Sequence, residues 1–293
     1  MTRKSDPSSS RRMSTSDDPM TRFPDVPMTP TRITRSLKNR PALVAYVTCG
    51  DPDLDTTREI VLAACRGGAD VIELGVPFSD PVADGPVIQR ASERALKNGT
   101  SLEDVLRLAS EVRKESDAGL IVFTYLNPML RFGMERFCVE AAKAGVDGAL
   151  VIDLTVEEAE KYRHMMAAHD LDTIFLAAPT SPDQRLKAIT AACRGFVYAV
   201  SRTGITGTQT QLATDAQNLV KRIRKFTRLP VAVGFGISNA QQFSEVGRFA
   251  DAVVVGSAIV QLIEQSPGKE AQAVESFVCG LKSGIKSTAT SQS

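Results

Sequence analysis

Short apolar, β-branched runs alternate with amphipathic stretches through most of this chain, which predicts an α/β fold. Eight such strand–helix units over about 250 residues are the count of a closed (β/α)8 barrel, the TIM-barrel class. The first run leads into Thr48-Cys49-Gly50-Asp51-Pro52 rather than a G-x-G-x-x-G turn, which argues against a doubly wound open sheet.

The strands are expected in order at Ala42–Val47, Val71–Leu74, Leu120–Tyr125, Gly148–Ile152, Thr173–Ala177, Gly195–Val200, Val231–Phe235 and Ala252–Val255. They are nearly continuous apolar runs, as strands covered on both faces should be. Helical periodicity lies between them, as in Asp55–Arg66, Leu102–Lys114, Met134–Ala144, Glu157–Ala168, Pro182–Ala191 and Asp215–Phe226. Residues 1–30 are Ser/Pro/Asp/Arg-rich with no apolar period. They read as a disordered extension or as an upstream start, since Met13, Met20 and Met28 follow. Residues 31–284 form the single barrel domain, and 285–293 (KSTATSQS after Ile285) a disordered tail.

Composition excludes several function classes. Net charge is +1, with 35 Lys+Arg against 34 Asp+Glu, so no electrostatic footprint for nucleic acid or an anionic membrane exists. No apolar run reaches the length of a transmembrane helix. The five cysteines show no C-x-x-C pairing and read as reduced thiols of a cytoplasmic protein. Only two histidines are present, His164 and His169, both in a polar helical stretch, which argues against a His-ligated metal or a His-activated nucleophile.

In a barrel the chemistry sits where strands end. The most informative such segment is Val71–Pro86, VIELGVPFSDPVADGP. It places Glu73 inside a buried strand and Asp84 on the loop that follows. A buried carboxyl should have a raised pKa, and a second one on a loop suits acid/base chemistry. The plainer alternative is a strand-end glutamate bonded to backbone amides. The late loops share glycines, in Gly204-Ile205-Thr206-Gly207, Gly234-Phe235-Gly236-Ile237-Ser238 and Gly256-Ser257. Together they suggest a phosphate cradle of backbone amides, although each alone could be a tight βα turn. Tyr198 shares a strand face with Phe196 and Val200, pointing either into the barrel or outward. The polar stretch Ser201–Leu212 reads as a lid over bound ligand or as a plain solvent loop.

ELGVPFSDPVADGP, preceded by YVTCGDP and followed by SRTGITG, GFGIS and VVGSAIV, resembles the α-subunit family of tryptophan synthase. The likeness spans about Arg32 to Gly284. It implies a barrel with an extra N-terminal helix and a carbon–carbon lyase that cleaves indole-3-glycerol phosphate to indole and D-glyceraldehyde 3-phosphate. It further implies a β-subunit partner in an α2β2 heterotetramer that receives the indole. Pyridoxal phosphate would sit on that partner, with no cofactor on this chain. By position, Glu73 matches the catalytic glutamate, Asp84 the aspartate that holds the indole N–H, and Tyr198 the tyrosine near the glutamate. Gly207, Gly236, Gly256 and Ser257 match phosphate-binding positions. Tyr46, Ile88, Phe123 and Tyr125 match the indole pocket, and Thr206 the lid. Pro77, Asp80 and Asn127 match the surface that faces the β subunit.

Departures are few. Asp153-Leu154-Thr155 stands where the family has Asp-Leu-Pro, Tyr46 replaces a phenylalanine, and Phe123 a smaller aliphatic residue. Other phosphate-binding barrel enzymes would want a catalytic lysine early, or aspartates on strands one and five, and ALVAYV and TIFLA carry neither. A stand-alone lyase releasing indole, or a non-catalytic allosteric subunit, remain the alternatives.

Overall fold

The computed structural model describes residues 31–289 apart from residues 39, 201–208 and 235. The strands are β1 (Ala42–Thr48), β2 (Val71–Gly75), β3 (Gly119–Thr124), β4 (Gly148–Val151), β5 (Asp172–Ile174), β6 (Leu176–Ala177), β7 (Val197–Val200), β8 (Val231–Gly234) and β9 (Ala252–Val255). The helices are α1 (Arg32–Ser36), α2 (Leu54–Gly67), α3 (Pro86–Lys97), α4 (Leu102–Arg113), α5 (Leu126–Phe132), α6 (Met134–Lys143), α7 (Glu160–Ala168), α8 (Asp183–Ala192), α9 (Gln209–Ile223), α10 (Ala240–Gly247), α11 (Ser257–Gln265) and α12 (Glu270–Ala289).

All pairings are parallel, in the order β5-β4-β3-β2-β1-β9-β8-β7-β6. The two ends of this sheet are consecutive in the chain, so the sheet closes into a barrel. This corrects the single fifth strand expected at Thr173–Ala177. Its first half pairs with β4 and its second with β7, and the ladder breaks at Phe175, whose carbonyl accepts the Tyr198 amide at 3.2 Å. The tail also differs from expectation, because α12 runs to Ala289. No glycine or proline after Gly284 stops it.

The period-2 alternation sorts each strand into two cores. Leu43, Ala45, Val47, Ile72, Leu74, Leu120 and Val122 face the helices, while Ala42, Val44, Val71, Ile121, Leu150, Ile174, Phe196 and Ala232 fill the barrel. α1 closes the floor with Ile33 and Leu37, both fully buried. It fits because Gly119 has no side chain, and a Cβ there would lie 3.2 Å from Ile33 Cγ1. Three aspartates, each immediately before a strand, tie the floor together. Asp70 accepts the Leu43 amide (2.7 Å), Asp147 the Leu120 amide (2.9 Å) and Asp251 the Val231 amide (2.8 Å). Lys282, Arg113 and Arg224 respectively balance their charge. No helix among the described residues is long and apolar enough to cross a membrane.

Candidate active site

The strand ends at the opposite mouth carry the predicted residues. Glu73 is the middle residue of β2, in register with Tyr46 on β1 and Ile121 on β3. Its alternation partners Val71 and Gly75 point inward with it, and the side chain is 1% exposed. Its Oε1 has no hydrogen-bond partner among the described residues. Burial without a partner favours the neutral acid, and the carboxyl is pushed up to about 8. The backbone-bonded alternative is therefore not what this oxygen does.

Two phenols share the interior. Tyr198 points inward from β7, resolving the direction its strand pattern left open, and packs with Phe196 in the barrel core. Its hydroxyl occupies the space above Gly234, where a Cβ would come within 2.6 Å. Burial and then the Glu73 charge hold this phenol well above its ordinary pKa, so it stays a neutral donor. Tyr46 lies over Gly75, whose Cβ would fall 2.6 Å from the phenol Cζ, and accepts a hydrogen bond from Thr48 Oγ1 at 3.4 Å. Its ring meets Phe123 edge-on at 5.2 Å. Ala91 and Val260 complete this apolar cluster, with Val87 and Ile88 packed against it. That wall suits a flat aromatic ligand. Gly75 was not singled out from sequence, and Gly234 was read only as part of the phosphate loop, not as room for a phenol. The signal available was their position, two residues after Glu73 and at the end of the eighth strand.

Asp84 sits at the rim, on the segment between β2 and α3. Its amide donates to Pro81 O (3.0 Å), and its carbonyl accepts from Gln89 Nε2 (2.8 Å). Tyr125 Oη donates to Asp84 Oδ2 at 3.1 Å and itself accepts the Ala83 amide at 3.0 Å. Burial raises the Asp84 carboxyl to about 6, opposed by the Tyr125 hydrogen bond. Tyr125 thus reaches the loop that carries Asp84, a contact its pocket-lining assignment did not foresee.

Gly256 precedes α11 and Ser257 opens it; the Gly256 carbonyl accepts the Ile259 and Val260 amides (2.9 and 3.1 Å), which leaves the Ser257 and Ala258 amides as the helix-start donors. A Cβ on Gly256 would lie 3.4 Å from Tyr46 Cβ, which places this helix start beside the aromatic pocket. Gly236 follows the adjacent strand with φ 57°, a left-handed conformation that favours glycine. Thr206 and Gly207, with most of the expected lid, lie outside the described residues. Asp80 and Asn127 are exposed, but Pro77 is buried. On that loop the outward apolar surface is Val82, 79% exposed, rather than Pro77.

An arginine pair that sequence reasoning missed braces this mouth. Arg94 of α3 forks onto buried Asp51 in the loop after β1 (2.7 and 2.9 Å) and also reaches Glu264 of α11 (2.6 Å). Arg90 holds the same Glu264 at 2.9 and 2.7 Å. The helix that follows the Asp84 loop is thereby bolted to the helix whose N-terminus faces the mouth. The sequence signal was the i, i+4 arginine spacing on α3, but their partners lie far away along the chain.

A family model described as tryptophan synthase alpha chain matches residues 34–289. A tryptophan synthase alpha chain from Solibacter usitatus is 53% identical over 250 residues, 85% of this chain and 94% of that one. One from Neisseria meningitidis serogroup B is 46% identical over 246 residues, covering 84% and 94%. Among solved structures, the alpha subunit from Legionella pneumophila superposes with a TM-score of 0.81 at 32% identity, covering 88% and 99%. A structure from Aquifex aeolicus does so with a TM-score of 0.79 at 40% identity, covering 87% and 98%. The pattern of inward carboxyl, rim carboxyl and glycine-lined late strands thus sits in a chain that belongs to the tryptophan synthase alpha chain family.

Proposed function

We infer that this chain cleaves indole-3-glycerol phosphate by a retro-aldol reaction to indole and D-glyceraldehyde 3-phosphate. The observation that carries the reading is Glu73, a buried carboxyl whose Oε1 has no partner among the described residues, held protonated near neutrality inside an aromatic-walled barrel mouth. Indole leaves poorly from C3 until that carbon is protonated. Glu73 delivers its proton to C3, giving an indolenine that acts as an electron sink. The Glu73 carboxylate then takes the 3′-hydroxyl proton as the C3–C3′ bond breaks and its electron pair returns to the ring. The acid is regenerated, and the other fragment leaves as the aldehyde. Asp84, largely ionised at neutral pH, accepts the ring N1–H and stabilises the positive charge that develops there. Tyr198 contacts the reacting region beside Glu73, and Tyr46, Ile88 and Phe123 hold the ring. The amides at Gly236, Gly256 and Ser257 take the phosphate, helped by Gly207, with Thr206 on the closing lid.

Membership of the family implies a tryptophan synthase β-subunit partner. The finer reading is an α2β2 heterotetramer in the cytoplasm, contacted through Asp80 and Asn127, with pyridoxal phosphate on the β subunit and no cofactor on this chain. The loop from Gly75 to Pro86 carries both Asp80 and Asp84. Partner contact therefore favours the closed loop, and substrate analogues tighten partner binding by the same factor.

The test is turnover of indole-3-glycerol phosphate by the purified chain. Glu73→Gln is expected to bind substrate yet lose about 10²–10⁴-fold or more in rate. Turnover within tenfold of the native rate would remove Glu73 from the chemistry. The native kcat/KM should be bell-shaped, falling below about 6 as Asp84 protonates and above about 8 as Glu73 loses its proton. Asp80→Ala is expected to blunt activation by β subunit while sparing the isolated chain's slow rate. Native protein that β subunit leaves unactivated would favour the stand-alone lyase.

A further inference from the structure

Asp84 is useful only if one of its oxygens meets the ligand, and a carboxylate on a Pro/Gly-rich loop has no intrinsic reason to hold one position. What holds it is Tyr125. This residue is 3% exposed and stands immediately before α5, where the neighbouring Leu126 amide donates to Asp153 at 2.7 Å. Its backbone carbonyl accepts from Thr124 Oγ1 (3.1 Å), and its ring packs on Phe78 with centroids 4.9 Å apart. From that fixed base the hydroxyl makes two bonds to the facing loop, accepting the Ala83 amide and donating to Asp84 Oδ2. A single side chain thus grips the loop at residues 78, 83 and 84, and it holds Asp84 through one of its two carboxylate oxygens.

We propose that Tyr125 is the positioning residue for Asp84, a latch that joins the β2–α3 loop to the start of α5 and orients the carboxylate before substrate arrives. The proposal rests on the lyase reading for its catalytic consequence and on geometry alone for the latch. The two large hydrophobics most exposed among the described residues, Val82 and Leu130, lie on the two segments the latch joins. A partner seated on either segment therefore acts on the carboxylate through one phenol. The bond from Tyr125 also favours ionised Asp84, so its loss must raise that group's pKa.

The test is Tyr125→Phe in the full chain, which keeps the ring and its packing on Phe78 and removes only the hydroxyl. Two readouts decide it. Amide exchange across residues 79–86 should quicken, because Ala83 loses its acceptor. The acid limb of kcat/KM should move above about 6, with kcat and kcat/KM falling together by about tenfold, as when a transition-state contact is misplaced. A variant that melts with native protein, exchanges at the native rate and keeps the acid limb in place would overturn the proposal. Should native protein show no lyase turnover, the functional reading fails, and the exchange experiment alone still decides the latch.

Discussion

Glu73 is where one residue's environment matters most. In an unfolded chain its carboxyl titrates near 4.5, whereas in the barrel burial moves it to about 8. Between these values the folded state holds a proton that the unfolded state has released. Stability therefore falls as pH rises through that window, by about 1.4 kcal/mol per pH unit and a few kcal/mol in all. Glu73→Gln does not titrate. It should be more stable than native protein at pH 8, with the gap closing toward pH 4. Urea midpoints measured across that range check this, and parallel pH dependence in the two proteins would contradict it. A residue that destabilises the fold at working pH is retained because protonation there is its task.

At the scale of elements, the site depends on strand ends where backbone replaces side chain. Gly75 on β2 and Gly234 on β8 lie under the phenols of Tyr46 and Tyr198. Gly75→Ala should displace Tyr46 and its edge contact with Phe123, costing about 1–3 kcal/mol and raising KM. A variant with native Tm and KM would show that the phenol has room to move. The glycines near the phosphate should respond in two ways. Gly256→Val crowds Tyr46, while Gly236→Val meets open space yet must hold a φ of 57°, so it acts through backbone strain. Both should raise KM more than they lower kcat. The strands themselves were legible as apolar runs, Glu73 as a carboxylate out of keeping with its surroundings, and Asp84 as a second one on the loop that follows. The split at Phe175 was not legible, because TIFLA reads as one strand and only the stagger of closure makes its halves face different neighbours. The Tyr125 latch and the Arg94–Asp51 fork were hidden for the same reason, since both join residues distant along the chain.

For the whole molecule, the floor plug and the tails make opposite predictions. Removing residues 1–30 should leave Tm and lyase rate unchanged, given their polar, Ser/Pro-rich composition, and a drop of several degrees would show that they pack on the barrel. Leu37→Ala should instead cost about 2–5 kcal/mol, because Leu37 fills the barrel floor with Ile33, and denaturant melts will separate the two outcomes. Saturating inorganic phosphate should raise Tm by mass action if the mouth of α11 takes a phosphate.

By itself the sequence determined the eightfold alternation, the two-sided burial of each strand, the carboxyl placed inside one of them and the glycines that end the late ones. These are local properties, set by side-chain period and by the few residues that tolerate a given backbone. Tertiary structure alone decided that Tyr198 points inward, that Pro77 is covered while Val82 is not, and that Tyr125 reaches Asp84. Each of these depends on where a closed barrel brings distant segments together, and closure is a property of all the strands at once.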